Sequence, residues 1–106
     1  MAKVHVLSED DEVVAGRLRV SVAAFRASFD GRELPLTNKE LRLLALLAAN
    51  PGLVLRRERI AQLVWGRPVT GRTIDIHVSR LRKYLPPGAI ETVIRVGYRL
   101  STEALA

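Results

Sequence analysis

The sequence predicts an α+β fold in which an antiparallel β-meander precedes three helices and a closing β-hairpin. Three observations predict it. Apolar and polar residues alternate from Leu18 to Phe29, apolar residues recur at helical spacing in three segments between Thr37 and Leu85, and two short strand-like runs follow. With 48% hydrophobic and 26% charged residues, the 106-residue chain is typical of one globular domain with a modest core.

The first third of the chain is predicted to form a strand stub, an acidic linker and the meander. Residues alternate from Val4 to Val6, and an acidic run, Glu9 to Glu12, follows. That run is most simply a solvated tether, and the alternative is the end of a connection from a further domain. From Val13 to Leu36 the alternation predicts paired strands, with a tight turn at Asp30-Gly31.

Two helices follow the meander. Thr37-Asn38-Lys39-Glu40 is a capping box, in which the Thr hydroxyl and the Glu carboxylate each satisfy a free backbone N–H at a helix start. Leucines on both sides of this helix predict that it is sandwiched, and Asn50-Pro51-Gly52 ends it. Leu53 to Leu55 fits one short strand, and Arg57 to Trp65 has the spacing of a second helix.

The third helix, Arg72 to Leu85, has two faces of opposite character. One face is predicted to be a core stripe, formed by Ile74, Val78, Leu81 and Leu85. The opposite face is cationic but carries an apolar residue, Ile76, in its middle. A helix in a DNA major groove uses such a residue, because apolar side chains there contact thymine methyls while Arg reads guanine edges. The alternative is a surface helix that happens to be basic.

Positive charge is concentrated in the second half of the chain. The formal net charge is +6, yet residues 56–99 alone hold ten Lys or Arg against three acidic residues. Basic residues that serve only solubility would be spread evenly along the chain. The imbalance therefore indicates a polyanionic partner. Fourteen of the seventeen cations are arginine, the residue suited to bidentate contacts with bases and phosphates.

The meander, the three helices and a closing hairpin over residues 91–100 together make a winged helix-turn-helix. Four runs, LTNKE, VWG, RTIDIHVSRLRKYL and ETVIRVGYRL, also resemble the DNA-binding effector domain of OmpR/PhoB-type response regulators. The resemblance covers Val13 to Leu100, and the motifs occur in order at family spacing. We place the domain at residues 13–102, after a stub and linker at 1–12 and before a fraying tail at 103–106.

The resemblance implies sequence-specific binding of double-stranded DNA by a bacterial two-component transcription regulator in the cytoplasm. The third helix would enter the major groove and the wing the minor groove. The domain would be a monomer in isolation and would sit head-to-tail with a second copy on direct repeats. A receiver domain, missing from this chain, and RNA polymerase are further partners in the family. Carried over by position, the base contacts would be Ile76, Ser79 and Arg80, the phosphate contacts Arg72, Thr73 and Lys83, and the wing contact Arg95.

The chain departs from the family at three places. Ile94-Arg95 replaces a pair that ends in Gly, and Arg95 is either a substitute minor-groove probe or a solvated turn residue. Arg56 stands where Ser commonly caps the second helix, at a cost in helix stability. The loop from Gly66 to Gly71, associated in the family with polymerase contact, is short, and Gly71 stands where Ser or Asp often caps. Repression or occlusion is therefore favoured over activation through that loop.

No arrangement of residues predicts an enzyme, a cofactor or a metal site. Asp75, His77 and Ser79 succeed one another at two-residue intervals on one helix and cannot converge into a triad. His5 is far from His77 and joins no carboxylate cluster, and the chain has no cysteine. We interpret His77 as a packed structural residue and Asp75 as orienting arginines of its own helix by i, i+4 pairing.

The sequence leaves other function classes and the extent of the full protein open. The chain lacks a membrane-spanning run and a signal peptide, which predicts a soluble protein. A winged-helix module that binds protein should carry an acidic or broadly apolar third helix, and a dimerisation module of a larger regulator should show no salt-dependent DNA binding. The sequence does not decide between a fragment of a longer regulator and a stand-alone member. Trp65 and Tyr98 are expected to be core or hinge-packing aromatics.

Overall fold

The computed structural model describes residues 3–106, which form two antiparallel sheets packed around helices. The first residues of the predicted stub, Met1 and Ala2, lie outside the described part. From β1 onward the order of elements follows the prediction, with one short helix added at the end. The strands are β1 (Glu12–Ala15), β2 (Leu18–Ser21), β3 (Arg26–Phe29), β4 (Arg32–Glu33), β5 (Leu55–Arg56), β6 (Ile90–Val93) and β7 (Gly97–Leu100), and the helices are α1 (Asn38–Ala49), α2 (Arg57–Ile60), α3 (Gly71–Arg82) and α4 (Thr102–Leu105).

The predicted meander is confirmed as the four-stranded sheet β1-β2-β3-β4. Leu18, Val20 and Ala27 are buried on its inner face, because successive side chains of a strand point to opposite sides. Asp30-Gly31 forms the predicted tight turn with positive φ at both residues. Strand β4 has only two residues and is shorter than the strand that the alternation predicts for residues 32–36; Pro35, which has no N–H to donate, follows soon after.

Helix α1 is fixed at both ends by hydrogen bonds. Thr37 Oγ1 accepts from Glu40 N at 3.4 Å and Glu40 Oε1 accepts from Thr37 N at 2.9 Å, so the predicted capping box is confirmed. At the other end Asn50 N donates to Leu47 O at 3.2 Å. All of the helix's leucines are buried, as its sandwiched position between the meander and α3 requires.

The predicted N-terminal strand stub is wrong, because residues 3–11 pair with no strand in the described part of the chain. The Asn50 side chain instead holds this segment against the end of α1, accepting from His5 N at 2.6 Å and donating to His5 O at 3.0 Å. Glu9 accepts from Arg42 Nη2 with both oxygens, at 3.0 and 3.1 Å. The acidic run stays largely exposed, but its ion pair with Arg42 ties it to α1, so it is not a free tether.

Helices α2 and α3 form the helix-turn-helix. Helix α2 continues into a π-helical turn, Ala61–Trp65, which ends at Gly66 in the left-handed conformation. Thr70 is the N-cap of α3, since its Oγ1 accepts from Thr73 N at 3.2 Å. The missing cap inferred from Gly71 is therefore wrong, because the residue before it supplies the cap.

Helix α3 ends at Arg82, earlier than the predicted end at Leu85. Beyond it, Tyr84 N donates to Leu81 O at 3.0 Å, which is a tighter turn than an α-helix makes. Leu85 precedes a proline, and that position disfavours helical backbone. Leu85 is nevertheless buried, so the core stripe extends past the helix.

The second sheet, in the order β5-β7-β6, joins the wing hairpin to the start of α2. Leu55 pairs with Tyr98 and Arg56 with Gly97. A Cβ at Gly97 would lie 1.9 Å from Leu55 O, so only glycine allows β5 to approach β7 this closely. The predicted hairpin is confirmed by β6 and β7.

The predicted fraying tail is wrong, because residues 102–105 form α4 and Leu105 is fully buried. Leu105 O accepts from Arg17 N at 2.7 Å, and Ala106 O accepts from Arg17 Nε at 3.1 Å. The C-terminal residues are thus part of the core beside the β1–β2 turn.

Candidate nucleic-acid interface

Helix α3 has one buried face and one exposed face, as predicted. Ile74, Val78 and Leu81 are almost completely buried. On the opposite side Ile76 is 40% exposed although it is apolar. Ile76 thus gives this cationic face one exposed apolar position between its charged side chains. The exposed residues of this face are Arg72, Ile76, Ser79, Arg80 and Lys83.

The structure places the predicted DNA contacts of α3 on this face, with one residue at its border. Thr73 is half-buried, and its hydroxyl lies 3.0 Å from the hydroxyl of Thr70 in the helix cap. Lys83 is the C-cap of the helix and keeps helical backbone, so it stays on the exposed face. Arg95 lies on the wing, a separate element.

Asp75 connects α3 to α2 and to the wing strand β7. Its Oδ1 accepts from Arg57 Nε at 2.9 Å and from the Tyr98 hydroxyl at 2.6 Å. The Arg57 guanidinium also lies over the Tyr98 ring, 4.9 Å from its centroid. Arg82 lies over the same ring at 5.7 Å and donates to Ile90 O at 2.8 Å. We call Asp75, Arg57 and Tyr98 the anchor cluster, because they fix α3 against its two neighbours.

The prediction that Asp75 pairs with arginines of its own helix is wrong. Its partners Arg57 and Tyr98 lie 18 and 23 residues away in the chain. Helical spacing reveals only neighbours on the same helix, so the sequence pattern missed the positioning roles of Arg57 and Tyr98. The pairing of β5 with β7 creates this arrangement, since it sets Tyr98 opposite Leu55, two residues before Arg57.

The anchor cluster holds a fixed set of charges. Burial would raise the pKa of the Asp75 carboxyl, but the hydrogen bonds from Tyr98 and Arg57 outweigh burial and hold that pKa below its ordinary 3.8. Burial, and then the bond to Asp75, raise the pKa of the Tyr98 hydroxyl above its ordinary 10.0. At neutral pH the cluster therefore contains a carboxylate, a guanidinium and a neutral phenol.

His77 is a packing residue, as predicted. Its Nδ1 lies 2.8 Å from Thr73 O, one turn earlier in α3. Its ring meets the Trp65 ring edge-on, with 5.0 Å between the centroids. Trp65 and Tyr98 also have the packing roles predicted for them, since Trp65 joins the π-helical turn to α3 and Tyr98 is buried.

The wing turn exposes an apolar residue and an arginine side by side. Ile94 is 79% exposed, and Arg95 has a φ of 65°, in the left-handed region that favours glycine. The turn is closed by Val96 N donating to Val93 O at 2.9 Å. Among residues 3–106 no carboxylate lies within ion-pair distance of the Arg95 guanidinium, so its charge faces solvent.

Residues 3–106 contain neither a cluster of metal-ligand side chains nor a helix suited to cross a membrane. No three His, Asp or Glu side chains come close enough together to hold a metal ion. No helix in this range has the length and apolar character needed to cross a membrane.

Comparison with known proteins identifies relatives among transcription regulators. Residues 31–100 match the family described as transcriptional regulatory protein, C terminal. The chain is similar to the regulatory protein VanRB of Enterococcus faecalis, with 43% identity over 91 residues, which cover 84% of this chain and 41% of that protein. The chain spans about two fifths of the length of the curated relatives it matches.

Solved DNA-binding domains share the fold. The DNA-binding domain of CpxR from E. coli superposes with a TM-score of 0.79 and 34% identity, covering 91% of this chain and 99% of that one. The DNA-binding domain of RstA from Klebsiella pneumoniae, solved in complex with the RstA box, has a TM-score of 0.77 and 25% identity. That match covers 87% of this chain and 98% of the RstA chain.

Proposed function

Because the chain belongs to the family of transcriptional regulatory protein C-terminal domains, as an effector domain of the OmpR/PhoB type, we propose that it binds double-stranded DNA with sequence specificity. Helix α3 lies in the major groove, and the wing formed by β6 and β7 reaches the adjacent minor groove. The observation that carries this proposal is the exposed face of α3, on which cations flank Ile76 while the anchor cluster holds the helix from behind.

The middle of α3 reads the bases. Arg80 donates to a guanine edge, for which its planar guanidinium is suited, and Ile76 contacts thymine methyls. Ser79 donates to or accepts from a base edge between them. All three are exposed, and the buried stripe on the opposite face keeps their direction constant, since α3 cannot rotate without exposing Ile74 and Val78.

The two ends of α3 bind the DNA backbone. Arg72 and Thr73 lie in the first turn, where the positive end of the helix dipole favours a phosphate. Lys83 meets the backbone at the other end of the helix, as a flexible point charge. These contacts set the register of α3 on the duplex and carry no sequence information themselves.

The domain acts as one of two copies placed head-to-tail on direct repeats, and it is monomeric without DNA. In a full-length regulator a receiver domain would control it, and RNA polymerase is a further possible partner. The short loop from Gly66 to Gly71 favours repression or occlusion over activation through that loop. The proposed setting is the bacterial cytoplasm. The RstA domain solved on its DNA box supports the DNA partner.

Selection of bound duplexes from a random pool tests this function. We expect a direct-repeat motif with half-sites about one helical turn apart, and a steep fall of affinity with salt when the selected duplex is titrated. Salt-dependent binding without any enriched motif would contradict sequence-specific binding by the isolated domain. A lack of binding even at low salt would contradict DNA binding and favour a protein-interaction or dimerisation module.

A further inference from the structure

Arg56 occupies a position that favours a different residue. It is the N-cap of α2, with φ −68° and ψ 148°, and its side chain makes no capping hydrogen bond. Ser, Thr, Asp or Asn at such a position would satisfy a free N–H of the first helical turn. Arg56 is exposed, and among residues 3–106 no carboxylate lies within ion-pair distance of its guanidinium. Neither the helix nor a partner in the domain therefore accounts for an arginine here.

The second sheet places Arg56 beside the wing. Arg56 pairs with Gly97 across β5 and β7, and the next residue, Arg57, donates its N–H to Val96 O at 3.4 Å. Gly97 makes this approach possible because any Cβ there would collide with Leu55 O. Two residues before Gly97 is Arg95, the other arginine in a locally unfavourable position. Two arginines that have no carboxylate partner among residues 3–106 thus lie at one end of the wing hairpin.

We propose that Arg56 binds a DNA backbone phosphate beside the minor groove that the wing reaches. This assignment rests on the proposed function. A phosphate is the anion that a duplex offers at the groove edge, and arginine binds it in a bidentate manner. The contact is separate from the phosphate contacts of α3, because Arg56 belongs to the start of α2 and to the wing sheet. Helix α2 lacks an N-cap hydrogen bond, and in exchange the domain has an additional contact with the DNA backbone, separate from those of α3.

The variant Arg56→Ser tests this assignment in two independent measurements. A serine cap should raise Tm by roughly 4–8 °C, because the observed backbone already has the N-cap conformation. Binding to the selected duplex should weaken several-fold, and the slope of log affinity against log salt should fall by about 1. A merely structural role for Arg56 would instead move stability and affinity in the same direction.

The matched control is Arg32→Ser on β4, which removes the same charge from an exposed strand of the meander. Its salt slope should stay at the wild-type value. Equal losses of slope in the two variants would overturn the assignment, since they would reflect net charge alone, and a lowered Tm for Arg56→Ser would overturn it as well. If the wild-type domain failed to bind any duplex, the proposed function would fail, and this assignment with it.

Discussion

Two residues of the proposed interface depart from local preferences. Ile76 is exposed where a solvated helix face would carry a polar residue, and Arg95 adopts left-handed backbone where glycine is favoured. Local violations of this kind tend to occur at functional sites, because another gain has to offset them. In both cases the offsetting gain we propose is contact with DNA.

Replacing Arg95 distinguishes the cost of its left-handed backbone to stability from the contribution of its side chain to DNA binding. Arg95→Gly should raise the free energy of unfolding by up to about 1 kcal/mol, since glycine adopts this φ without steric cost. The same change should weaken binding to the selected duplex several-fold. Urea unfolding and equilibrium binding provide the two values.

The control for this experiment is Arg95→Ala, which removes the guanidinium but keeps a Cβ at φ 65°. It should lose affinity as Arg95→Gly does, without the gain in stability. Full wild-type affinity in both variants would show that Arg95 is a solvated turn residue, the alternative that the sequence left open.

At the scale of elements, the anchor cluster determines how α3 is presented. Asp75 accepts from Arg57 of α2 and from Tyr98 of β7, so one carboxylate joins three elements. The buried stripe prevents rotation of α3, and these hydrogen bonds add a direction that apolar packing alone does not supply. The orientation of the exposed face therefore depends on contacts that Asp75, Arg57 and Tyr98 make within the domain.

Asp75→Asn tests this dependence, because overall charge and the positioning role of Asp75 predict opposite effects on DNA affinity. Removing a negative charge from α3 would strengthen DNA binding if charge were all that mattered. We expect weaker binding instead, by several-fold, because Arg57 loses its carboxylate partner and α3 its orientation. The free energy of unfolding should fall by about 1 kcal/mol, a value reduced for the partial exposure of the Asp75 side chain.

Asp30→Asn is the matched control, because it removes the same charge from the Arg17–Asp30 ion pair of the meander. It should leave affinity unchanged or slightly higher. Tighter binding by Asp75→Asn than by the wild type would contradict the positioning role of the anchor cluster.

The sequence predicted those elements whose signals are local. The capping box at Thr37 and the two faces of α3 depend on spacings of three or four residues, and both are confirmed. The partners of Asp75 were predicted wrongly, because they depend on the pairing of β5 with β7, which brings together residues about forty positions apart. Of the candidate site, the exposed face of α3 was predictable from helical spacing, whereas the anchor cluster was not.

At the scale of the whole molecule, both ends of the described chain pack on the domain. Asn50 holds the backbone of His5, and Arg17 holds that of Leu105. The acidic run predicted a tether, and the terminal position predicted fraying. Hydrogen bonds from Asn50 and Arg42 hold the first segment, and burial of Leu105 fixes the second. These contacts link distant parts of the chain and leave no local signature in the sequence.

The anchor cluster should also make the stability of the molecule dependent on pH. Folding raises the pKa of Tyr98, so its contribution is fully present below the ordinary value of 10.0 and is lost as pH rises through the higher folded value. Folding lowers the pKa of Asp75, so its contribution is present above 3.8 and is lost as pH falls through the lower folded value. The chain should therefore lose stability at both extremes.

Urea unfolding at neutral pH and at about pH 11 tests the alkaline half of this expectation. Wild type should lose more stability between the two conditions than Tyr98→Phe, which has no phenol at that position to ionise. The exposed tyrosine provides the control, since Tyr84→Phe should keep the full alkaline loss. An equal loss in all three proteins would rule out Tyr98 as its source.

The central claim is that the exposed face of α3 reads base sequence. It is tested most directly by measuring the affinity of wild type and of Arg80→Ala for a selected duplex and for all of its single-base variants. Arg80→Ala should lose about 1–3 kcal/mol of discrimination at one base pair, while the preferences at the other positions stay. Arg72→Ala, measured beside it, should weaken binding evenly across all the duplexes. If Arg80→Ala kept the full wild-type preference at every position, Arg80 would not read a base, and the proposed role of this face would be contradicted.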